Sequence, residues 1–134
     1  MIRFFIFIAF LSFATAEESA TVSKVRGNPK RESSTGWQVL KVGDKVKDHE
    51  KLKTLNKELL VLKLAKGGKV VLFGNSELSL EEKAKGKKRT LIQDKGNSWI
   101  KLKKLKKQES FAIKTPTAVA GVRGTAFNTR VEGG

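Results

Sequence analysis

The sequence predicts an all-β domain, built either as a small sandwich or barrel or as a coiled, solenoid-like stack. Apolar and polar residues alternate at period two in several segments, and turn signals recur about every ten residues. Cysteine is absent, so packing and hydrogen bonding rather than disulfides must hold the chain together. A length of 134 residues suffices for one buried core and not for two domains. No internal repeat of fixed period accompanies the alternation.

Residues 1–16 read as a signal peptide. Met1-Ile2-Arg3 is a short basic start, Phe4 to Phe13 an apolar run, and Ala14-Thr15-Ala16 a small-x-small cleavage pattern before the acidic pair Glu17-Glu18. The apolar run falls short of the roughly 20 residues of a membrane-spanning helix, an uncleaved anchor being the alternative. The mature domain is then 17–134, periplasmic or extracellular, without a cysteine to accept a lipid anchor. Five of the eight Phe leave with the leader. Trp37, Phe73, Trp99, Phe111 and Phe127 remain, and in a domain of this size they are expected in the core rather than as a stacking platform for bases.

Thr21 to Arg26 is β-prone through Val22 and Val25. Gly27 to Gly36 has no apolar residue and reads as an exposed loop. Gly43-Asp44 marks a turn between short extended pieces carrying Trp37, Leu40, Val42 and Val46. Glu58 to Phe73 predicts two buried strands around Gly67-Gly68, with Leu60, Leu62 and Leu64 on one side. Leu78-Ser79-Leu80, Ile100 to Lys103 and Phe111 to Lys114 repeat the alternation. Trp99 to Lys107 reads either as a strand with lysine outward or as a basic amphipathic helix presenting Trp99, Leu102 and Leu105 to a membrane.

Net charge is +15, falling to +14 when Arg3 leaves with the leader, and the pI is near 10.2, which points to a polyanionic partner. Export turns that expectation from nucleic acid toward anionic envelope polymers. Two clusters carry much of the charge, Lys83 to Arg89 and Lys101 to Lys107. Lys85, Lys87, Lys88, Arg89, Lys101, Lys103, Lys104, Lys106 and Lys107 are candidate anion-binding residues, the other reading being that they keep β-edges soluble. The catalytic inventory is poor. His49 is the single histidine, in the polar run Lys47 to Lys51, Tyr is absent, and no G-x-S-x-G or H-E-x-x-H pattern occurs. Asp44, Asp48, Glu50, Glu81 and Glu82 show no pairing that singles out an acid and base, or a cation site, and read as surface charge among lysines. No enzyme, no metal and no cofactor is expected.

The densest motif is Thr115-Pro116-Thr117-Ala118-Val119-Ala120-Gly121-Val122-Arg123-Gly124-Thr125-Ala126-Phe127. Its small residues and glycines suggest close backbone approach, and its single arginine suggests a guanidinium with specific acceptors. This run resembles the signature of the FecR domain, the periplasmic part of the iron-dicitrate sensor family. The resemblance extends upstream through Trp37 to Asp44, Thr54, Gly67-Gly68, Leu78 to Leu80, Gly96 before Trp99, and Phe111 to Ile113. It implies a single solenoid-like or twisted β-sandwich domain that acts by contact with an envelope protein, an anionic polymer or membrane surface being the alternative partner. Thr115, Pro116, Val122, Arg123, Gly124, Thr125 and Phe127 are then structural or partner-contacting residues, and Arg123 is expected to tie strand ends together through carbonyls. In the full sensors an anti-sigma segment and a membrane helix precede the domain. Neither stands here, so sigma-factor regulation is not carried over, and no ligand cluster for iron is found. Only seven residues follow Phe127 where the family pattern runs on, so a sheet edge open to a partner is expected near Arg130-Val131.

Overall fold

The computed structural model describes residues 18–83, 87–122 and 126–131, without the side chains of 126–129. Every regular element among them is a strand. The hairpin expected from the alternation at 58–73 lies within the sheet: β6 (Leu59–Leu64) pairs antiparallel with β7 (Gly68–Leu72), Leu60 opposite Leu72 and Leu62 opposite Val70. Leu60, Leu62, Leu64, Val70 and Leu72 all face the core. The turn needs its glycines, because Gly67 and Gly68 hold φ of +93° and +107°, and a side chain at Gly68 would meet the Lys101 carbonyl.

On the far side of β6 lie β1 (Glu18–Arg26) and then β4 (Lys45–Lys47). The β1 register shifts between Val22 and Lys24, so the inward positions pass from Ala20 and Val22 to Val25. Gly43, at φ +93°, closes the predicted turn ahead of β4. The other half of the sheet runs through β3 (Gly36–Val39), β2 (Lys30–Ser33), β5 (Lys51–Lys53) and β8 (Glu77–Lys83).

The two halves meet in β9 (Lys88–Leu102). Its first part pairs with β8 and, in parallel, with β10 (Ser110–Lys114); its second part pairs with β7 and with β12 (Ala126–Val131). One ladder is therefore β4-β1-β6-β7-β9-β12 and the other β3-β2-β5-β8-β9-β10-β11, where β11 is Val119–Val122. The shared strand curls the sheet into a half-barrel around one core. Parallel neighbours normally require a long crossover. Here the second part of β9 is that crossover, and residues 103–109 carry the chain back to β10.

The bend in β9 has a local cause. Inward positions are Leu91 and Gln93 before it and Ser98, Ile100 and Leu102 after it, so the strand changes parity. Gly96 sits between them at φ +91°, packed so closely on Ser76 that a side chain there would overlap it. Buried polar groups fill the corner. Gln93 Nε2 donates to the Gly96 carbonyl at 2.8 Å, Ser98 Oγ donates to Gln93 Oε1 at 2.5 Å, and Asn97 N–H donates to Ser76 Oγ at 3.0 Å. Thr54 Oγ1 accepts from Ser76 N–H at 3.1 Å and donates to the Phe73 carbonyl at 2.5 Å.

Two expectations are corrected, and one pair of readings is decided for the strand. The polar run 27–36 is not a loop throughout, since residues 30–33 form β2 and pair with β3. This hairpin lies at the end of its ladder, where a strand needs no apolar face, and Arg31 Nη1 ties it to the Lys45 carbonyl at 2.8 Å. Trp99 to Lys107 is not a helix: β9 continues to Leu102 with Trp99 and Leu102 on opposite faces, and Lys103 to Lys107 leave the sheet. The aromatics are not all core. Phe111 is buried, whereas Trp37 and Phe73 are exposed and Trp99 is half-buried on the outer face. Lysine ammonium groups lie over the two tryptophan rings, Lys53 Nζ 4.8 Å from the Trp37 ring centroid and Lys69 Nζ 5.5 Å from that of Trp99.

Candidate functional site

Because β9 bends and the chain returns beside its start, the two lysine clusters converge. Lys87, just before β9, and Arg89, at its beginning, face Lys103, Lys104, Lys106 and Lys107 of the return loop across a groove of about 670 Å³, with Lys66 of the β6–β7 turn also in its lining. Gln108 and Glu109 complete the lining. The loop is held at its end by a tight turn in which Glu109 N–H donates to the Lys106 carbonyl at 2.9 Å, and Lys106 N–H donates to Glu109 Oε1 at 3.0 Å. Ser110 N–H donates to the Lys87 carbonyl at 2.8 Å, and Lys87 Nζ donates to Gln108 Oε1 at 3.3 Å.

Arg89 differs from its neighbours. It is 7% exposed, its guanidinium lies 5.4 Å from the Phe111 ring centroid, and its Nε has no hydrogen-bond partner among the described residues. Glu82 stands opposite it in the β8–β9 ladder. Seven cations and one carboxylate therefore line the groove. Lys88 points away from it and is exposed, and Lys85 lies outside the described residues.

Lys101 belongs to a different surface. On the outer face of the first ladder Lys63, Lys69 and Lys101 stand directly opposite one another in β6, β7 and β9, and the adjacent row is Val61, Val71 and Trp99. Like charges at facing positions repel. A shallow hollow of about 530 Å³ lies beside them, lined also by Ser23, Gly68, Leu102 and Lys103.

The residues of the carboxyl-terminal motif divide. Thr115 and Pro116 open the turn between β10 and β11, where Thr115 N–H donates to the Ala118 carbonyl at 2.8 Å and Ala118 N–H donates to Thr115 Oγ1 at 3.1 Å. Val122 is half-buried against the core at the end of β11. The β12 backbone places Phe127 opposite Ile100. Arg123, Gly124 and Thr125 lie outside the described residues.

The carboxylates that read as surface charge have local work to do. Asp44 Oδ2 accepts from Lys41 N–H, Glu50 Oε1 from Lys47 N–H and Asp48 Oδ1 from Glu82 N–H, while Glu81 pairs with Lys83. Glu58, which the sequence did not single out, clamps two turns, Oε1 accepting from Leu55 N–H and Oε2 from Asn28 N–H. His49 is exposed, with Nε2 3.4 Å from the Asp48 carboxylate. Lys66, Gln108 and Glu109 are the groove residues that sequence reasoning missed, Lys66 because it lies in a turn outside both clusters and the other two because they carry no positive charge.

The family model for FecR protein matches residues 50–134. The chain belongs to the FecR family. The match takes in β5 from its first residue, the shared strand β9, the groove-lining residues and the whole Thr-Pro to Phe series, whereas Trp37 to Asp44 precede it. FecR is a signalling and sensor family whose domains are periplasmic and meet other envelope or membrane proteins. No curated protein and no solved structure matches the chain. In this FecR domain the motif strand β11 pairs on one side with β10, and among the described residues nothing pairs with its other side.

Proposed function

We propose that this FecR domain is an exported, non-enzymatic binding module of the cell envelope, beginning at Glu17 after cleavage, and that it takes up an envelope protein along the free edge of β11. The supporting observation is the character of that edge. Val119, Ala120 and Gly121 are exposed, Val119 to 69%, and no charge interrupts the four residues. Sheet edges are ordinarily guarded by lysine, as β4 is here by Lys45 and Lys47. An uncharged edge of small residues admits an added strand, whose main-chain bonds supply affinity.

A photoreactive side chain at position 120 tests the reading in the native envelope. The expected product is one defined protein, joined to a chain whose mass begins at Glu17 and retained when salt is raised. Val119→Lys, beside the photoreactive position on the same strand, should abolish the adduct while shifting stability by less than about 0.5 kcal/mol. A salt-labile smear of polymer in place of a defined protein, or an adduct indifferent to the lysine, would overturn it.

A further inference from the structure

We propose that the groove between the start of β9 and the return loop is a binding site for a ligand carrying clustered phosphate groups. The site is independent of the β11 edge, and either can stand without the other. The charge balance of its lining calls for a ligand with several negative charges, since Lys87, Arg89, Lys103, Lys104, Lys106 and Lys107 face a single carboxylate, and Glu109 already accepts a backbone N–H. A volume of about 670 Å³ exceeds what one phosphate fills and lies in the range of small-ligand sites.

Arg89 makes this more than a solvated basic patch. A cation removed from water carries a large desolvation cost unless it is paired and its donors are satisfied. Arg89 is buried at the groove with an unmatched Nε–H. Guanidinium donors bind phosphate oxygens two at a time, and lysines around them act as mobile point charges. The lining has no aromatic side chain, so it offers bases nothing to stack on, and phosphate rather than nucleobase is what it can recognise.

The proposal is tested with tripolyphosphate as the soluble probe, and with vesicles of phosphatidylcholine with and without phosphatidic acid. Two charge-matched triple variants are compared, Lys104→Gln/Lys106→Gln/Lys107→Gln in the groove and Lys63→Gln/Lys69→Gln/Lys101→Gln on the outer face. Tripolyphosphate should bind the wild type with an affinity that falls as salt rises, lose about tenfold or more in the groove variant, and change little in the outer-face variant. It should also shift the Arg89 Nε–H resonance. Equal losses in both variants would reduce the effect to net charge, and a stationary Arg89 resonance would remove the buried arginine from the site. Either result overturns the proposal, as does tighter binding of polyglutamate, which would make this a site for an acidic protein. If the vesicle bears phosphatidic acid and competes with tripolyphosphate for the groove, the source is a lipid headgroup; if only tripolyphosphate binds, it is a soluble or polymeric phosphate.

Discussion

At Gly96 the backbone runs at φ +91° against Ser76, and this single contact sets where β9 leaves one ladder for the other. A β-carbon would lie 2.5 Å from Ser76 Cα as well as against its side chain, so trimming Ser76 cannot make room. Gly96→Ala should cost about 2 to 5 kcal/mol, combining the penalty of a left-handed non-glycine residue with overpacking. Ser76→Ala should cost about 1 to 3 kcal/mol, because Asn97 N–H loses its acceptor in a buried corner. Urea midpoints check both, and the double variant should be no more stable than Gly96→Ala alone. The sequence shows Gly96 as a glycine ahead of Trp99, but nothing local announces that Ser76, twenty residues earlier, occupies the place of its side chain. The same holds for Glu58, whose carboxylate reaches Asn28 across the fold.

The strand β10 was legible because Phe111 to Lys114 alternate, but that the chain turns at Thr115-Pro116 and returns beside it as β11 was not. The geometry of the turn adds the role of the hydroxyl. Thr115→Val keeps the shape and β-branching but removes the acceptor of Ala118 N–H. The expected result is a loss of about 0.5 to 1.5 kcal/mol and faster hydrogen exchange at Ala118. Unchanged exchange would show that the Thr115 N–H to Ala118 carbonyl bond holds the turn alone. Other elements were less legible. β2 escapes the pattern because an end-of-ladder hairpin buries too little to impose an apolar period, and Arg31 is bridged to Gln38 of β3 by a side-chain bond instead. The helical reading of Trp99 to Lys107 fails because the spacing that puts Trp99 and Leu102 on one helical face puts them on opposite faces of a strand.

Across the whole molecule the net charge of +15 opposes compaction, most directly where Lys63, Lys69 and Lys101 face each other. Raising NaCl from about 20 mM to about 500 mM shortens the screening length severalfold. Tm should then rise by about 3 to 6 °C, given some tenths to 1 kcal/mol per facing pair and the entropy of unfolding of a domain this size. Lys69→Gln, which interrupts the row at its centre, should reduce that rise. A Tm that falls with salt would mean that pairs such as Lys51 with Asp94 and Lys95 with Glu77 outweigh the repulsion.

Strand periodicity and turn chemistry are local, which is why an all-β class, the Leu60 to Leu72 hairpin, the turns at Gly43 and Gly67-Gly68 and the strand of Phe111 follow from the sequence by itself. Family membership too was legible, because its motif is a contiguous run. The groove was not. Lys87 and Lys103 are far apart along an extended strand, and they face each other only because β9 bends at Gly96 and the chain returns parallel to its own beginning. Tertiary structure likewise decided which lysines share a surface. Lys101 and Lys104 are three residues apart in one cluster, yet Lys101 joins a row with Lys63 and Lys69 while Lys104 lines the groove, because the sheet ends between them at Leu102; Lys103 borders both surfaces.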